Sequence, residues 1–225
     1  LLILGSMPSA HIPEAVANGL TITVGRPGML PQIQASAKAL GRQARIQLKL
    51  DTGLHRIGFC PGPDLDIWIQ EFRQCGPEVR LTGVFSQFTD AETVGSPFCQ
   101  DQYALFLQGI EQLQKAGINP PCKHVCNSAA SEWLQPLPGD AVRVGRRLFM
   151  DSQNAPLGNI REVASWRTTI TCLHHLHAGD TVGYGRHIAI TRDTTVATLA
   201  VGYGDGLNIQ VANRQGPVLV GGRRA

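Results

Sequence analysis

Three arginines, a lysine, a serine and a glycine recur in this chain at one kind of place, the end of a strand-like run. Lys49, Asp51 and Arg56 follow Ile46, Leu48 and Leu50, whose alternation with Gln47 and Lys49 has the period of two that marks a strand. Gln87 closes the next such run, Asn127 and Ser128 the one after, and Arg143, Gly145 and Arg146 belong to the last. Guanidinium groups, a hydroxyl and a glycine N–H together suit an anion, most simply a phosphate. A buried strand that carries lysine and aspartate is costly unless those charges find partners or a ligand. By themselves the residues leave the ligand unnamed.

The elements that must position these groups alternate. Residues 1–5, 20–25, 45–51, 79–88, 124–127 and 142–149 read as strands, and 11–18, 29–40, 64–75, 102–116 and 129–134 as helices. Leu65, Trp68, Ile69 and Phe72 share one face of the third helix, and Leu105, Phe106, Ile110 and Leu113 one face of the fourth. Gly41 closes the second as a C-cap. Short strands alternating with helices imply parallel βαβ units. No glycine-rich dinucleotide fingerprint follows any strand, which favours a (β/α)8 barrel, whose strand ends converge on one mouth. After about residue 160 the pattern changes to strands joined by turns, at 166–176, 181–190, 195–201 and 218–220. The fold expected is therefore α/β: a partial (β/α)8 TIM-type barrel over 1–158 and part of an all-β domain over 159–225.

Composition narrows the function. With 43% hydrophobic and 16% charged residues, the 225-residue chain is globular rather than disordered. A net charge of +3 without a long basic run points to neither nucleic acid nor an anionic membrane as partner. No apolar run approaches the roughly 20 residues that span a bilayer, and no charged n-region with an apolar h-region and cleavage site occurs within residues 1–225, so export is not expected. The cysteines at 60, 75, 99, 122, 126 and 172 are scattered, so they read as reduced thiols of a cytoplasmic protein. Of His174, His175 and His177, strand alternation puts only the last two on one face, which reads as a polar strand face and not as a metal centre. The sequence starts inside an apolar run and stops just after a strand-like one, so it reads as a piece of a longer protein.

Five motifs together resemble the alanine racemase family: Lys49-Leu-Asp-Thr-Gly-Leu-His-Arg56-Ile-Gly-Phe59, His124-Val-Cys-Asn-Ser128-Ala-Ala, Val142-Arg143-Val-Gly145, Val182-Gly-Tyr184-Gly and Val201-Gly-Tyr-Gly-Asp-Gly206. They occur in the family's order across essentially the whole chain. The resemblance implies a pyridoxal 5'-phosphate enzyme that interconverts L- and D-alanine, supplies D-alanine for peptidoglycan and works as a homodimer with shared active sites. It also implies roles. Ser128 and the backbone of Gly145 and Arg146 would hold the cofactor phosphate. Arg143 would face the pyridine nitrogen, keeping it unprotonated and weakening the ring as an electron sink. Arg56 would face the phenolic oxygen and the substrate. Lys49 matches a lysine that is carbamylated in many members, and His124 a residue that supports Arg143. Tyr184 matches the catalytic tyrosine, one of the two bases that racemisation needs on opposite faces of Cα.

The chain departs from the family at four places. The Schiff-base lysine belongs to a Lys-Ala-Asn-Ala-Tyr-Gly-type motif that does not occur in residues 1–225, and the Met-Asp element that lines the family's substrate entrance is expected after Arg224 and is absent, so the chain alone is expected to be inactive. Gln87 stands where the family usually has a histidine, and Phe149-Met150-Asp151 where it has Tyr-Gly. A serine or broad-specificity racemase of the same fold, or a non-catalytic pyridoxal-phosphate-binding relative, are the alternatives.

Overall fold

The computed structural model describes residues 1–134, 139–148, 165–208 and 218–224. They form two compact units, Leu1–Val163 and Ala164–Ala225. The expected boundary at 158/159 lies outside the described residues.

The first unit is built on a single all-parallel sheet. Strands β1 (Leu2–Ile3), β2 (Thr21–Val24), β3 (Ala44–Lys49), β4 (Val79–Phe85) and β5 (Lys123–His124) lie side by side in chain order. A doubly wound sheet reverses its strand order at a switch point. This sheet never does, and five strands laid down in one direction form part of a (β/α)8 barrel. Helices α1 (Ile12–Ala17), α2 (Met29–Leu40), α3 (Pro63–Arg73) and α4 (Pro97–Lys115) connect the strands. Ile46 pairs with Ile22 and Leu81, and Leu48 with Val24 and Val84, so the central strand is flanked by branched apolar side chains. Ile22, Val24, Ile46, Leu48 and Val84 are fully buried in one core with Leu30 and Ile33 of α2, Leu65 and Trp68 of α3, and Phe106 and Leu113 of α4. Each such side chain contributes about 2 kcal/mol of burial.

Several boundaries differ from those the sequence suggests. Helix α4 starts at Pro97 instead of 102, because proline suits a first helical turn while the exposed Phe98 breaks the apolar periodicity. The strand expected at 142–149 is not formed among its described residues. Arg143 makes one backbone bond, N–H to Cys126 O at 3.0 Å, and Arg146–Leu148 turns into a 3-10 helix. Phe149, Met150 and Asp151 lie outside the described residues.

The second unit contains β6 (Ile170–Leu176) paired antiparallel with β9 (Thr194–Leu199), and two short hairpins, β7 (Thr181–Val182) with β8 (Ile188–Ala189) and β10 (Leu219–Val220) with β11 (Arg223–Arg224). The single strand expected over 181–190 is interrupted at Tyr184–Arg186. Gly183, Gly185 and Arg186 adopt φ of 78°, 71° and 55°, which no strand accommodates. Among the described residues no helix is long and apolar enough to cross a membrane.

Candidate active site

Lys49 is the last residue of β3, and its side chain is 1% exposed. Its ammonium donates to the Leu50 carbonyl at 2.8 Å and to Ser86 Oγ at 3.4 Å, and lies 5.5 Å from the centre of the Phe85 ring. Desolvation is the main cause that brings its pKa down to about 8; Asp51 opposes this, while Arg143 and Arg56 add to it. Asp51 does not point into the mouth as its place in the sequence suggested. Its Oδ1 accepts from the N–H groups of Gly53, Leu54 and His55 at 3.0 to 3.1 Å and so folds the loop that carries Arg56.

That loop closes on β3. Asp51 N–H donates to Phe59 O, and Phe59 N–H donates to Lys49 O, both at 3.0 Å. Gly58 makes the closure sterically feasible. Its φ is 126°, and a Cβ there would lie 2.7 Å from the Asp51 nitrogen and 3.0 Å from the Lys49 oxygen. Arg56 is exposed at the loop and makes no hydrogen bond or ion pair among the described residues.

Arg143 is the hub. Its Nη1 lies 2.6 Å from His124 Nδ1 and donates to His124 O at 3.3 Å. Its Nη2 donates to Ser86 O at 2.7 Å, Gln87 Oε1 at 2.8 Å and Val125 O at 3.2 Å. These bonds leave Nε without an acceptor among the described residues. Burial brings Arg143 down to about 10, so it stays cationic at neutral pH. Its guanidinium lies 5.2 Å from the Phe85 ring centre, and His124 stacks on that ring at 5.1 Å with an interplanar angle of 1°. Desolvation and then the Arg143 charge push His124 down to about 4, so its imidazole is neutral.

Ser128 and Gly145 meet. The Gly145 N–H donates to Ser128 Oγ at 3.0 Å. Ser128 does not cap helix α5 (Ala130–Trp133). Asn127 supports the start of that helix, accepting from Ala130 N–H through Oδ1 at 3.0 Å. The Arg146 side chain is turned to Glu92 at 2.9 Å. Lys49, Arg143, His124 and Gln87 thus share one hydrogen-bonded and aromatic neighbourhood, beside which Ser128 and Gly145 form a polar pair. Tyr184 belongs to the second unit, where it is 95% exposed in the turn of the β7–β8 hairpin. In that unit His174 Nε2 contacts Cys172 Sγ at 3.3 Å, His175 Nδ1 contacts Thr195 Oγ1 at 3.0 Å, and His177 Nδ1 lies 3.3 Å from Asp193. No group of three metal-binding side chains occurs among the described residues.

Two further participants had no role in the sequence reading. Ser86 Oγ donates to Leu50 O at 2.9 Å and lies 2.7 Å from Thr52 Oγ1, tying β4 to the Lys49 loop. Gln47 Oε1 lies 2.9 Å from His124 Nε2. A signal for Gln47 existed, since it precedes Lys49 by two on the same strand face.

Comparison with known proteins supplies the family. The family model described as "Alanine racemase, N-terminal domain" matches residues 1–153, and "Alanine racemase, C-terminal domain" matches 163–225. The chain belongs to the alanine racemase family. Among curated alanine racemases, alanine racemase 2 of Caldanaerobacter subterraneus is 30% identical over 99% of the chain, and the Salinispora arenicola protein is 32% identical over 96%. The chain spans 58% and 59% of those two alanine racemases. The solved alanine racemase of Streptomyces coelicolor superposes with a TM-score of 0.87 at 30% identity, over 97% of this chain and 59% of that one. These neighbours bear out the fold class, a partial TIM-type barrel with a β domain.

The residues present fit pyridoxal phosphate. The Ser128 hydroxyl and the Gly145 N–H, which it accepts here, are a donor pair for phosphate oxygens. The open Nε of Arg143 can donate to a pyridine nitrogen, and Arg56 offers an unengaged guanidinium. Lys49, Arg143 and Arg56 carry three positive charges that an anionic cofactor relieves.

Proposed function

We propose that the protein of which this sequence is part interconverts L- and D-alanine with pyridoxal 5'-phosphate, in the cytoplasm, as a homodimer with shared active sites that supplies D-alanine for peptidoglycan. The observation that carries this reading is the open Nε of Arg143 in a neighbourhood that also holds the Ser128–Gly145 pair. When bound, pyridoxal phosphate supplies the electron sink that acidifies the alanine Cα–H. Ser128 Oγ and the N–H groups of Gly145 and Arg146 bind the phosphate. Arg143 donates to the ring nitrogen and, as a permanent cation, keeps a proton off it. Arg56 faces the phenolic oxygen and orients the substrate carboxylate. Tyr184 removes the proton at one face of Cα as a phenolate or returns it there as a phenol. The opposite face needs a second base, the family's Schiff-base lysine, whose motif residues 1–225 do not contain. The 225-residue chain alone is accordingly inactive.

Lys49 is the carbamylated lysine in this reading. Its lowered pKa leaves a fraction of neutral amine, which attacks carbon dioxide. A C–N bond forms, one proton leaves to solvent, and the resulting carbamate is an anion set against Arg56 and Arg143. Labelled bicarbonate should produce a carbamate carbon resonance that is missing from a Lys49→Arg variant.

Activity is tested on the full-length protein with L-alanine and L-serine, read as appearance of the D-enantiomers. Tyr184→Phe should lose about a thousandfold in turnover of L-alanine, the scale of a general acid–base group. Turnover of neither amino acid by the wild type sinks the racemase reading, and an unaffected Tyr184→Phe removes Tyr184 from its role.

A further inference from the structure

Gln47 is a polar group with no role in the sequence reading that contacts His124, and the donors around His124 define what it does. A guanidinium only donates. With Arg143 Nη1 2.6 Å from His124 Nδ1, that nitrogen must present its lone pair, and the proton of the neutral ring must sit on Nε2. The atom 2.9 Å from Nε2 is Gln47 Oε1, an acceptor. Reversing the Gln47 amide would oppose donor to donor, so the Arg143 contact fixes both the imidazole tautomer and the amide orientation.

The fold reserves space for this carboxamide. Gln47 pairs with Gly83 across β3 and β4, where the register shifts after Ile46. A Cβ on Gly83 would lie 2.9 Å from Gln47 Nε2 and 2.7 Å from Cys122 O. An alanine there would collide with the amide and with backbone. The residues from Gln47 to Gln87 then form one directed chain: His124 Nε2–H donates to Gln47, Arg143 donates to His124 Nδ1, and Arg143 also donates to Gln87 Oε1. Both ends are neutral amides. Besides Arg143, the ionisable group that acts on His124 is Asp140.

We infer that Gln47 is a positioning residue for the cofactor's ring nitrogen: it holds His124 as the Nε2–H tautomer, so that the imidazole fixes Arg143 through Nδ1 and leaves Arg143 Nε aimed at the cofactor. The inference rests on the pyridoxal-phosphate reading above, but its first measurement does not.

Full-length protein labelled with 15N at histidine, without added pyridoxal phosphate, reports the ring nitrogens of His124 by long-range proton–nitrogen correlation, with His124→Gln identifying the signal. The wild type should show one neutral Nε2–H tautomer between about pH 6 and about pH 9, with its Nε2 proton protected from solvent exchange. Gln47→Leu should lose that protection. Gln47→Glu, of nearly the same shape, should convert His124 to the imidazolium pattern, because a carboxylate draws a second proton onto the ring. Loaded with pyridoxal phosphate, both variants should show a displaced visible absorption band and kcat/KM lowered about tenfold, the scale of one oriented hydrogen bond to a buried group. Ser128→Ala should leave that band in place. An Nδ1–H tautomer in the wild type overturns the inference, as do a protected Nε2 proton in Gln47→Leu or an unmoved band in both variants. A wild type with the Nε2–H tautomer but no racemisation overturns only the function proposed above.

Discussion

Ser128 Oγ accepts the Gly145 N–H at 3.0 Å, while its neighbour Asn127 accepts Ala130 N–H at the same distance. Adjacent residues therefore divide two tasks, one facing the ligand and one starting α5. Ser128→Ala should weaken pyridoxal phosphate binding about tenfold and leave the melting temperature unchanged. Asn127→Ala should do the reverse, lowering stability by about 1 kcal/mol with little change in cofactor affinity. Cofactor titration and urea denaturation on both variants separate the two, and equal effects on both readouts would refute the division.

Gly58→Ala should be severe for a residue that touches no ligand. Its added methyl group meets the Asp51 nitrogen and the Lys49 oxygen in a backbone conformation that disfavours alanine. The expected loss is about 2 to 4 kcal/mol in urea denaturation. Any surviving protein should bind pyridoxal phosphate poorly, because the loop that closes there carries Arg56.

Stability should rise with pH in two windows. His124 is held at about 4, below its ordinary 6.5, so between those values the unfolded chain binds a proton that the native one does not. Its contribution is complete above about 6.5 and is lost as pH falls to about 4. In protein kept free of carbon dioxide, Lys49 as the free amine, lowered from 10.5 to about 8, behaves likewise, giving stability that is complete above 10.5 and lost as pH falls to about 8. Urea midpoints measured across both windows check this. His124→Gln should abolish the acidic slope, and Lys49→Met the alkaline one.

Gln87 accepts from Arg143 with a group that never titrates. Gln87→His should keep that bond at high pH and lose it on protonation beside Arg143. The pH profile of kcat/KM should gain an acidic limb that the wild type lacks, and superimposable profiles would show that Gln87 has no part in the pH response.

The alternation of Ile46, Leu48 and Leu50 and the run 29–40 were readable because burial of one face dictates their period. Helix α2 has the predicted bounds, Met29–Leu40. The break at Tyr184 was not readable, since Thr, Val, Ile and Ala on both sides suit a strand and the positive φ angles of Gly183, Gly185 and Arg186 interrupt it. The site divided in the same way. Lys49 ends β3, and Lys49, Arg143 and Ser128 all announce themselves by residue type. Gln47 and Ser86 act through partners 77 and 37 residues away, and nothing local to them encodes that meeting. Asp51 misled because a charged residue at a strand end suggests a group facing the mouth, whereas three nearby N–H groups claimed one of its oxygens.

The strictly sequential order of β1 to β5 has a kinetic consequence. β3 can pair with β2 as soon as residue 49 is made, but the neighbours that bury Lys49, Phe85 and Ser86, arrive with β4, and His124 and Arg143 arrive later still. Lys49 and Gln47 therefore remain hydrated through the early stages of assembly. The unfavourable dehydration of the cationic centre is deferred to the last docking events, when most of the apolar sheet is already in place to carry it.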